Sequence, residues 1–255
     1  MDTYFDPDLN PNPQIQFYII DMKKGDVTGD GVIDEVYLLG TQPSGVTGPD
    51  YYDNITISII DGKTKKTTFL RFKYNAGNNP KLILNDFTGN GINDIFISIT
   101  QNILNGQSFY YLFSAIDNNP KSLFNFLSFN EYSQYSVIYK DQYKVNIYGL
   151  KSNEEFILDI SLKPKEYLSS IYSSDGKLLY ATKGDVLPLG YLYPIDINTD
   201  GAYELLAMQK IVGVTKTDVI GYIQTVLHYN GTEFIPGLTF LVVGGKKIPL
   251  PTDVK

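Results

Sequence analysis

The chain lacks cysteine and tryptophan, and it has one arginine and one histidine in 255 residues. The absence of cysteine excludes disulfides, thiolate metal sites and a cysteine nucleophile. Arg71 is the only arginine among 21 basic residues and the net charge is −7, so the clustered cations that contact nucleic-acid phosphates are missing. His228 is the only histidine, and no Gly-x-Ser-x-Gly motif accompanies it, which argues against a Ser-His-Asp triad.

Long apolar runs are also absent. No stretch has the length of a transmembrane helix, and the N-terminal residues lack the basic and apolar regions of a signal peptide. We expect an extracellular or cell-surface protein, with a spore surface or the cytoplasm as alternatives because no signal peptide is visible.

The residues that are present favour a β-sheet core. Hydrophobic residues make up 43 % of the chain, and its aromatic residues are all tyrosine or phenylalanine, which favour pleated surfaces. The length fits a single domain, with a core over about residues 15–240 and polar, proline-containing tails at both ends.

Three nine-residue stretches share one pattern: loop one (residues 26–34), loop two (86–94) and loop three (196–204). Each has oxygen-bearing side chains at positions 1, 3, 5 and 9 and glycine at position 6. Calcium takes six to eight oxygen ligands and tolerates irregular geometry. With the backbone carbonyl of position 7 added, the predicted ligands are Asp26, Thr28, Asp30, Val32 and Asp34, then Asp86, Thr88, Asn90, Ile92 and Asp94, then Asp196, Asn198, Asp200, Ala202 and Glu204.

Up to three structural calcium ions follow from this pattern, rather than catalytic ions, because a loop closed around its own ion leaves no position for a substrate. The closing acid comes at position 9 instead of 12 and strands flank each loop, so an EF-hand is excluded. Magnesium prefers to keep its waters, and zinc would need cysteine or histidine ligands. The alternative without a metal is an Asx turn between strands. Loop two has only two carboxylates, so we expect it to bind calcium most weakly.

The spacing of the loops predicts repeats. Their first residues lie at 26, 86 and 196, which fits a period of 55–60 residues with one loop lost near residue 141. Four strand-like runs fall in each repeat, and they cover residues 15–21, 35–39, 54–60 and 67–72; 81–84, 94–99, 108–115 and 123–127; 136–139, 143–148, 156–160 and 167–172; 190–195, 205–209, 219–228 and 234–240. This predicts an all-β fold: a β-propeller of four four-stranded antiparallel blades, or five if residues 176–181 add a strand. An open array or a two-sheet sandwich is the alternative.

The loops and their hydrophobic exit strands resemble the calcium-binding motifs of FG-GAP or VCBS repeats, which build the integrin α-subunit propeller and many bacterial surface proteins. The resemblance is carried by the pattern Asp-x-Thr/Asn-x-Asp/Asn-Gly-x-x-Asp/Glu. It implies a propeller, structural calcium, and adhesion or scaffolding at a surface.

The function predicted from these features is a calcium-stabilised module that binds a protein or glycan and is not an enzyme. Exposed tyrosines could stack on sugars or anchor a protein interface; candidates are Tyr51, Tyr52, Tyr110, Tyr111, Tyr132, Tyr135, Tyr191 and Tyr193. A hydrolase of polysaccharide or phosphoester, whose carboxylates no sequence pattern pairs, is one alternative. A self-assembling surface or spore-layer component is another.

Overall fold

The computed structural model describes residues 16–43, 50–101 and 108–244, and it is all-β, with 55 % strand and 7 % helix in two sheets. The elements are β1 (Tyr18–Gly25), β2 (Asp34–Thr41), β3 (Tyr51–Ile60), β4 (Thr67–Arg71), β5 (Gly77–Asn85), β6 (Asp94–Thr100), β7 (Ser108–Ser114), a 3-10 turn (Ile116–Asn118), β8 (Lys121–Asn125), α1 (Phe126–Tyr132), β9 (Tyr135–Lys140), β10 (Lys144–Gly149), β11 (Glu155–Asp159), α2 (Lys165–Ser169), β12 (Lys183–Ile195), β13 (Glu204–Val212), β14 (Val219–Tyr229) and β15 (Phe234–Val242). No helix in these residues is long and apolar enough to cross a membrane.

The first sheet has eight strands in the order β1-β2-β3-β5-β6-β7-β8, with β4 paired to β3. It consists of two antiparallel meanders, β1–β4 and β5–β8, which are joined where Tyr51 and Tyr52 pair with Asn78 and Gly77. The second sheet has seven strands in the order β11-β10-β9-β12-β13-β14-β15. Many strands follow the alternating apolar residues of the sequence, because one face packs into a core, whereas β6 buries both faces.

The described residues divide into two compact units. Unit one contains the chain up to Phe129 together with Leu189–Ala207 and Val226–Leu238. It has two hydrophobic cores, one built mainly on isoleucines of β3 and β6, and one built on aromatic residues of β6–β8 with leucines of β12–β14. Three loops at strand ends project from this unit, and they include all the predicted calcium ligands.

Unit two contains Asn130–Pro188, Met208–Thr225 and the described residues from Thr239 onward, and its core includes residues of β9, β10, β11, β13 and β14. A polar cluster lies at its edge. The hydroxyls of Tyr139 and Tyr167 are 2.8 Å apart, and Tyr167 donates a hydrogen bond of 2.7 Å to Asp218 Oδ2. Lys163 Nζ lies 3.5 Å from Asp218 Oδ1. Burial is the main cause that raises the pKa of the Tyr167 phenol above its usual value, so this group remains a donor.

This polar cluster occupies the space beside Gly213, so a residue with a side chain does not fit at this position. A Cβ there would collide with Asp218 Oδ2 and the Tyr139 hydroxyl. We therefore expect Gly213→Ala to break the cluster and to lower the free energy of unfolding by about 2 kcal/mol, a fall in Tm of roughly 4–8 °C. Thermal melts test this, with Gly244→Ala as the control because a Cβ at Gly244 meets nothing within 4 Å. Equal melting temperatures for the two variants would contradict it.

The predicted strands agree with the structure in three repeats, since the runs of the first, second and fourth repeats correspond to β1–β4, β5–β8 and β12–β15. In the third repeat, residues 136–160 give β9–β11, but the run at 167–172 is wrong: residues 165–169 form α2, which follows Pro164. The extra strand at 176–181 is also wrong, because the described chain has there only the isolated bridge Tyr172–Leu178.

The all-β class is confirmed, and the described residues show no propeller of four or five blades. The meanders join through shared strand pairs into two sheets, which a count of strands per repeat does not reveal. The single domain stays a prediction. Most of each predicted tail, residues 1–15 and 245–255, lies outside the described residues.

Candidate functional site

The three loops occupy equivalent places in unit one. Loop one connects β1 to β2, loop two connects β5 to β6, and loop three connects β12 to β13. Each is thus the tip of the first hairpin of its meander. The repeat inferred from the sequence is in this respect a repeat of structure.

The carboxylate at position 1 organises each loop by accepting backbone hydrogen bonds. Asp26 accepts the N–H of Gly29 and of Gly31 at 2.6 and 2.9 Å. Asp86 and Asp196 accept the equivalent N–H of position 6 at 2.7 and 3.1 Å. At position 5, an oxygen of Asp30, Asn90 and Asp200 accepts the N–H of position 7 in the same way, from Val32, Ile92 and Ala202. A carboxylate oxygen has two lone pairs, so one such bond leaves capacity for a cation.

The acid at position 9 turns back towards the start of its loop. Asp34 Oδ2 accepts the N–H of Val27 and of Thr28, each at 2.9 Å, and Asp34 Oδ1 accepts the N–H of Gly62 at 2.8 Å. Asp94 and Glu204 each accept the N–H of position 2, at 3.0 and 3.1 Å. Asp34 is fully buried, so its first role is to satisfy loop backbone that water does not reach.

Glycine at position 6 has the backbone conformation that the sequence predicts, with φ of 83°, 80° and 89° in loops one, two and three. Position 4 is also left-handed in every loop, which the sequence pattern did not indicate. Gly29 and Gly89 adopt this conformation at φ of 78° and 72°, whereas loop three forces Thr199 to φ 57°. A β-branched residue is disfavoured there, so the shared fold of the loop outweighs the local preference.

The loops are joined to one another by a repeated hydrogen bond. The N–H of Asn93 in loop two donates to the backbone oxygen of Asp26 in loop one at 2.9 Å. The N–H of Tyr203 in loop three donates to the backbone oxygen of Asp86 in loop two, also at 2.9 Å. Position 8 of one loop thus contacts position 1 of the preceding one, and the three loops form a single row.

Position 3 carries the feature that best fits a cation. The hydroxyl oxygens of Thr28 and Thr88 are buried and have no hydrogen-bond partner, although both positions are predicted ligands. Thr28 is the clearer case, since the Thr88 side chain lies close enough to Asp94 to lower the pKa of that carboxyl. A buried hydroxyl without a partner is costly, and a bound cation would satisfy it. In loop three, Asn198 instead donates to Glu204 Oε1 at 3.2 Å.

Carboxylates alone do not make a metal centre here. Within residues 16–43, 50–101 and 108–244, no group of three or more His, Asp or Glu side chains converges closely enough to hold a metal ion. Any ion in these loops would therefore depend on hydroxyl, amide and carbonyl oxygens beside at most two carboxylates. Calcium stays a prediction on these residues.

Asp94 in loop two has a perturbed acidity. Burial, aided by the nearby charge of Asp86, raises the pKa of the Asp94 carboxyl to about 6, and the N–H of Phe87 acts in the opposite direction. A cation beside this carboxyl would favour its charged form.

A cleft of 580 Å³ borders loop two. Thr88 and Asn90 form one wall, and the remaining wall is polar apart from Ile116, Leu123 and the ring of Tyr229. Asp117, Asn119 and Lys121 contribute a carboxylate, an amide and an ammonium. Asp117 and Asn118 are both left-handed, with φ of 55° and 56°. Asn118 donates to Asp61 Oδ2 at 2.6 Å and the N–H of Asp117 donates to the backbone oxygen of Thr28, which together fix this strained turn at the cleft.

The tyrosines predicted as contact residues are divided between core and surface. Tyr110 and Tyr135 are buried. Tyr191 and Tyr193 are exposed on β12 and stack in parallel, with ring centroids 6.0 Å apart and planes 7° apart. His228 is exposed on β14 and does not line the cleft.

Comparison with known proteins gives the chain its family. Residues 133–242 match the model of the YybI C-terminal domain. The uncharacterized protein YybI of Bacillus subtilis (strain 168) is 42 % identical over 217 residues, which cover 85 % of this chain and 82 % of the relative. The chain belongs to the YybI family. No solved structure matches it.

The resemblance to FG-GAP or VCBS repeats predicted the wrong family, since the chain belongs to the YybI family. That resemblance rested on nine-residue loops, and a short oxygen-rich turn with a glycine follows from local backbone requirements that unrelated folds share. The YybI match depends instead on a domain-length stretch of chain, of which loop three is a small part.

Proposed function

We propose that this YybI-family protein is a calcium-stabilised binding module that recognises a glycan in the cleft beside loop two. The cleft is the observation that carries the proposal. Its volume of 580 Å³ lies within the range of roughly 300–1,000 Å³ typical of ligand sites. Loop two contributes two predicted calcium ligands, Thr88 and Asn90, to its wall, which would couple the metal to recognition.

The chemistry of the cleft suits a sugar. Hydroxyl and amide side chains donate and accept hydrogen bonds, as Thr88, Asn90, Asn119 and Thr232 do. The ring of Tyr229 adds an apolar surface for a sugar face. Lys121 and Asp117 supply both signs of charge, so the cleft does not demand a charged ligand.

A binding role fits the cavities better than hydrolysis does. Glycosidases use two carboxylates that face each other across the bond. Asp117 is the only acidic residue that lines the cleft.

A propeller arrangement of the meanders is part of the same proposal. The hydrogen bond that repeats between successive loops supports it.

Glycan binding can be tested with two side chains that the fold does not need. We expect a glycan array to give specific binding to the wild-type protein in calcium, followed by calorimetry with the strongest oligosaccharide. Asn119→Ala combined with Lys121→Ala should weaken that affinity at least about tenfold, because several polar contacts are lost together.

Lys183→Ala is the matched control, since Lys183 is exposed and lies outside the cleft. Its affinity should equal that of the wild type. An array without specific binding, or a double variant with unchanged affinity, would rule out this cleft as a glycan site.

A further inference from the structure

A second cavity in unit one has a chemistry that neither the loops nor the cleft explains. It lies between the segment that follows β4, strand β7 and the start of α1, and its volume is 180 Å³. Aromatic rings form its walls. Phe72 stacks on Tyr111 with centroids 4.6 Å apart, and Phe126 meets Tyr111 edge-on at 5.7 Å.

These walls are held in place by buried contacts. Phe72 and Phe126 are 6 % and 3 % exposed. The Tyr111 hydroxyl donates to the backbone oxygen of Tyr74 at 3.0 Å and accepts the N–H of Tyr74 at 3.3 Å. Burial raises the pKa of the Tyr111 phenol above its usual value, so the hydroxyl stays protonated. The cavity is thus preformed.

The charge of the cavity is opposite to that of the protein. Arg71, the only arginine of the chain, lines it together with Lys73, and no acidic residue is among its lining residues. The Lys73 ammonium lies 5.7 Å from the centre of the Tyr74 ring, at the cavity wall. Two cations beside an aromatic cavity, in a chain of net charge −7, favour a ligand that carries negative charge.

Size limits the ligand further. A volume of 180 Å³ is below the range of roughly 300–1,000 Å³ that is usual for drug-sized ligands. This size favours a ligand with one planar ring and a small anionic group over an oligosaccharide or a nucleotide. Guanidinium is the side chain best suited to a carboxylate because its parallel N–H groups match both oxygens.

We propose that this cavity binds a small aromatic carboxylate, with the ligand ring packed against the aromatic wall and the carboxylate at Arg71 and Lys73. The cavity and the proposed glycan cleft have no lining residue in common, so either proposal can hold without the other.

Chemical-shift titration of the full chain by NMR tests this with three probes: benzoate, its neutral analogue benzamide, and acetate. We expect benzoate to shift resonances of the cavity residues and to bind at least about tenfold more tightly than either other probe. Equal binding of benzamide would overturn the role of the cations, and equal binding of acetate would overturn the role of the rings.

Variants locate the binding. Arg71→Gln should lower benzoate affinity at least about tenfold, and Arg71→Lys should lie between it and the wild type. Ser122→Trp places a ring at the cavity wall while both cations remain, and should abolish binding. Lys81→Gln removes an exposed lysine outside the cavity and should change nothing. Benzoate binding that survives Ser122→Trp, or falls equally in Lys81→Gln, would overturn the proposal.

Discussion

Replacing Asp34 by alanine is expected to lower the free energy of unfolding by about 4 kcal/mol, measured by urea denaturation in excess chelator. Asp34 is fully buried and accepts three backbone N–H groups, from Val27, Thr28 and Gly62. Alanine leaves these donors without an acceptor in a place that water does not reach, and a buried donor without a partner costs roughly 1–3 kcal/mol. Because the chelator removes metal from both proteins, the difference in the free energy of unfolding contains no contribution from lost metal binding.

Asp30→Ala provides the contrast within the same loop. Asp30 accepts one exposed N–H, from Val32, and its ion pair with Lys63 is long at 3.9 Å. Exposed contacts of this kind are worth less than about 1 kcal/mol, so Asp30→Ala should change stability in chelator only slightly. Equal losses of stability in the two variants would contradict the backbone role assigned to Asp34.

The sequence predicted the strands well because their signal is local. Alternation such as Ile55-Thr-Ile-Ser-Ile59 reports a pleated segment without reference to the rest of the chain. Two predicted strands failed, at 167–172 and at 176–181. The first comes shortly after Pro164, whose φ of −53° suits the residue that precedes a helix.

The arrangement of the strands into two sheets was not predictable in the same way. The pairing of Tyr51 and Tyr52 with Asn78 and Gly77 joins the first two meanders, and no local pattern distinguishes it from a blade boundary.

The left-handed conformation at position 4 of the loops could not be predicted for another reason. Thr199 occupies it in loop three, and threonine is not a residue that suggests this conformation.

The candidate sites differ in how far the sequence could identify them. Loop residues lie within nine positions of one another, so spacing alone indicates a shared site. The cavity at Arg71 is built from segments that are separate in the chain, around Tyr74, Tyr111 and Phe126. Its sequence signal is the single arginine beside aromatic residues, which becomes meaningful only when the fold brings the other walls to it.

Calcium is expected to raise the melting temperature of the wild-type protein by about 5–10 °C relative to excess chelator. A ligand at one hundred times its Kd stabilises the native state by about 2.7 kcal/mol, and each kcal/mol moves Tm by roughly 2–4 °C in a chain of this size. The physical source is the buried Thr28 hydroxyl, which has no hydrogen-bond partner and which a cation in loop one would satisfy together with the carboxylate oxygens beside it.

Position 1 variants separate the three loops in the same thermal melts. Asp26→Ala and Asp196→Ala should each remove a larger share of the calcium-dependent rise than Asp86→Ala, because loop two has two carboxylates and the others have three. Glu131→Ala is the control, since Glu131 is exposed outside the loops and its distance to Lys151 is 3.7 Å. Identical melts in calcium and chelator would show that the acidic side chains serve only as acceptors for loop backbone. The repeated row of loops would then be explained by its hydrogen bonds alone, since the backbone oxygens of Asp26 and Asp86 accept the N–H of the next loop without any metal.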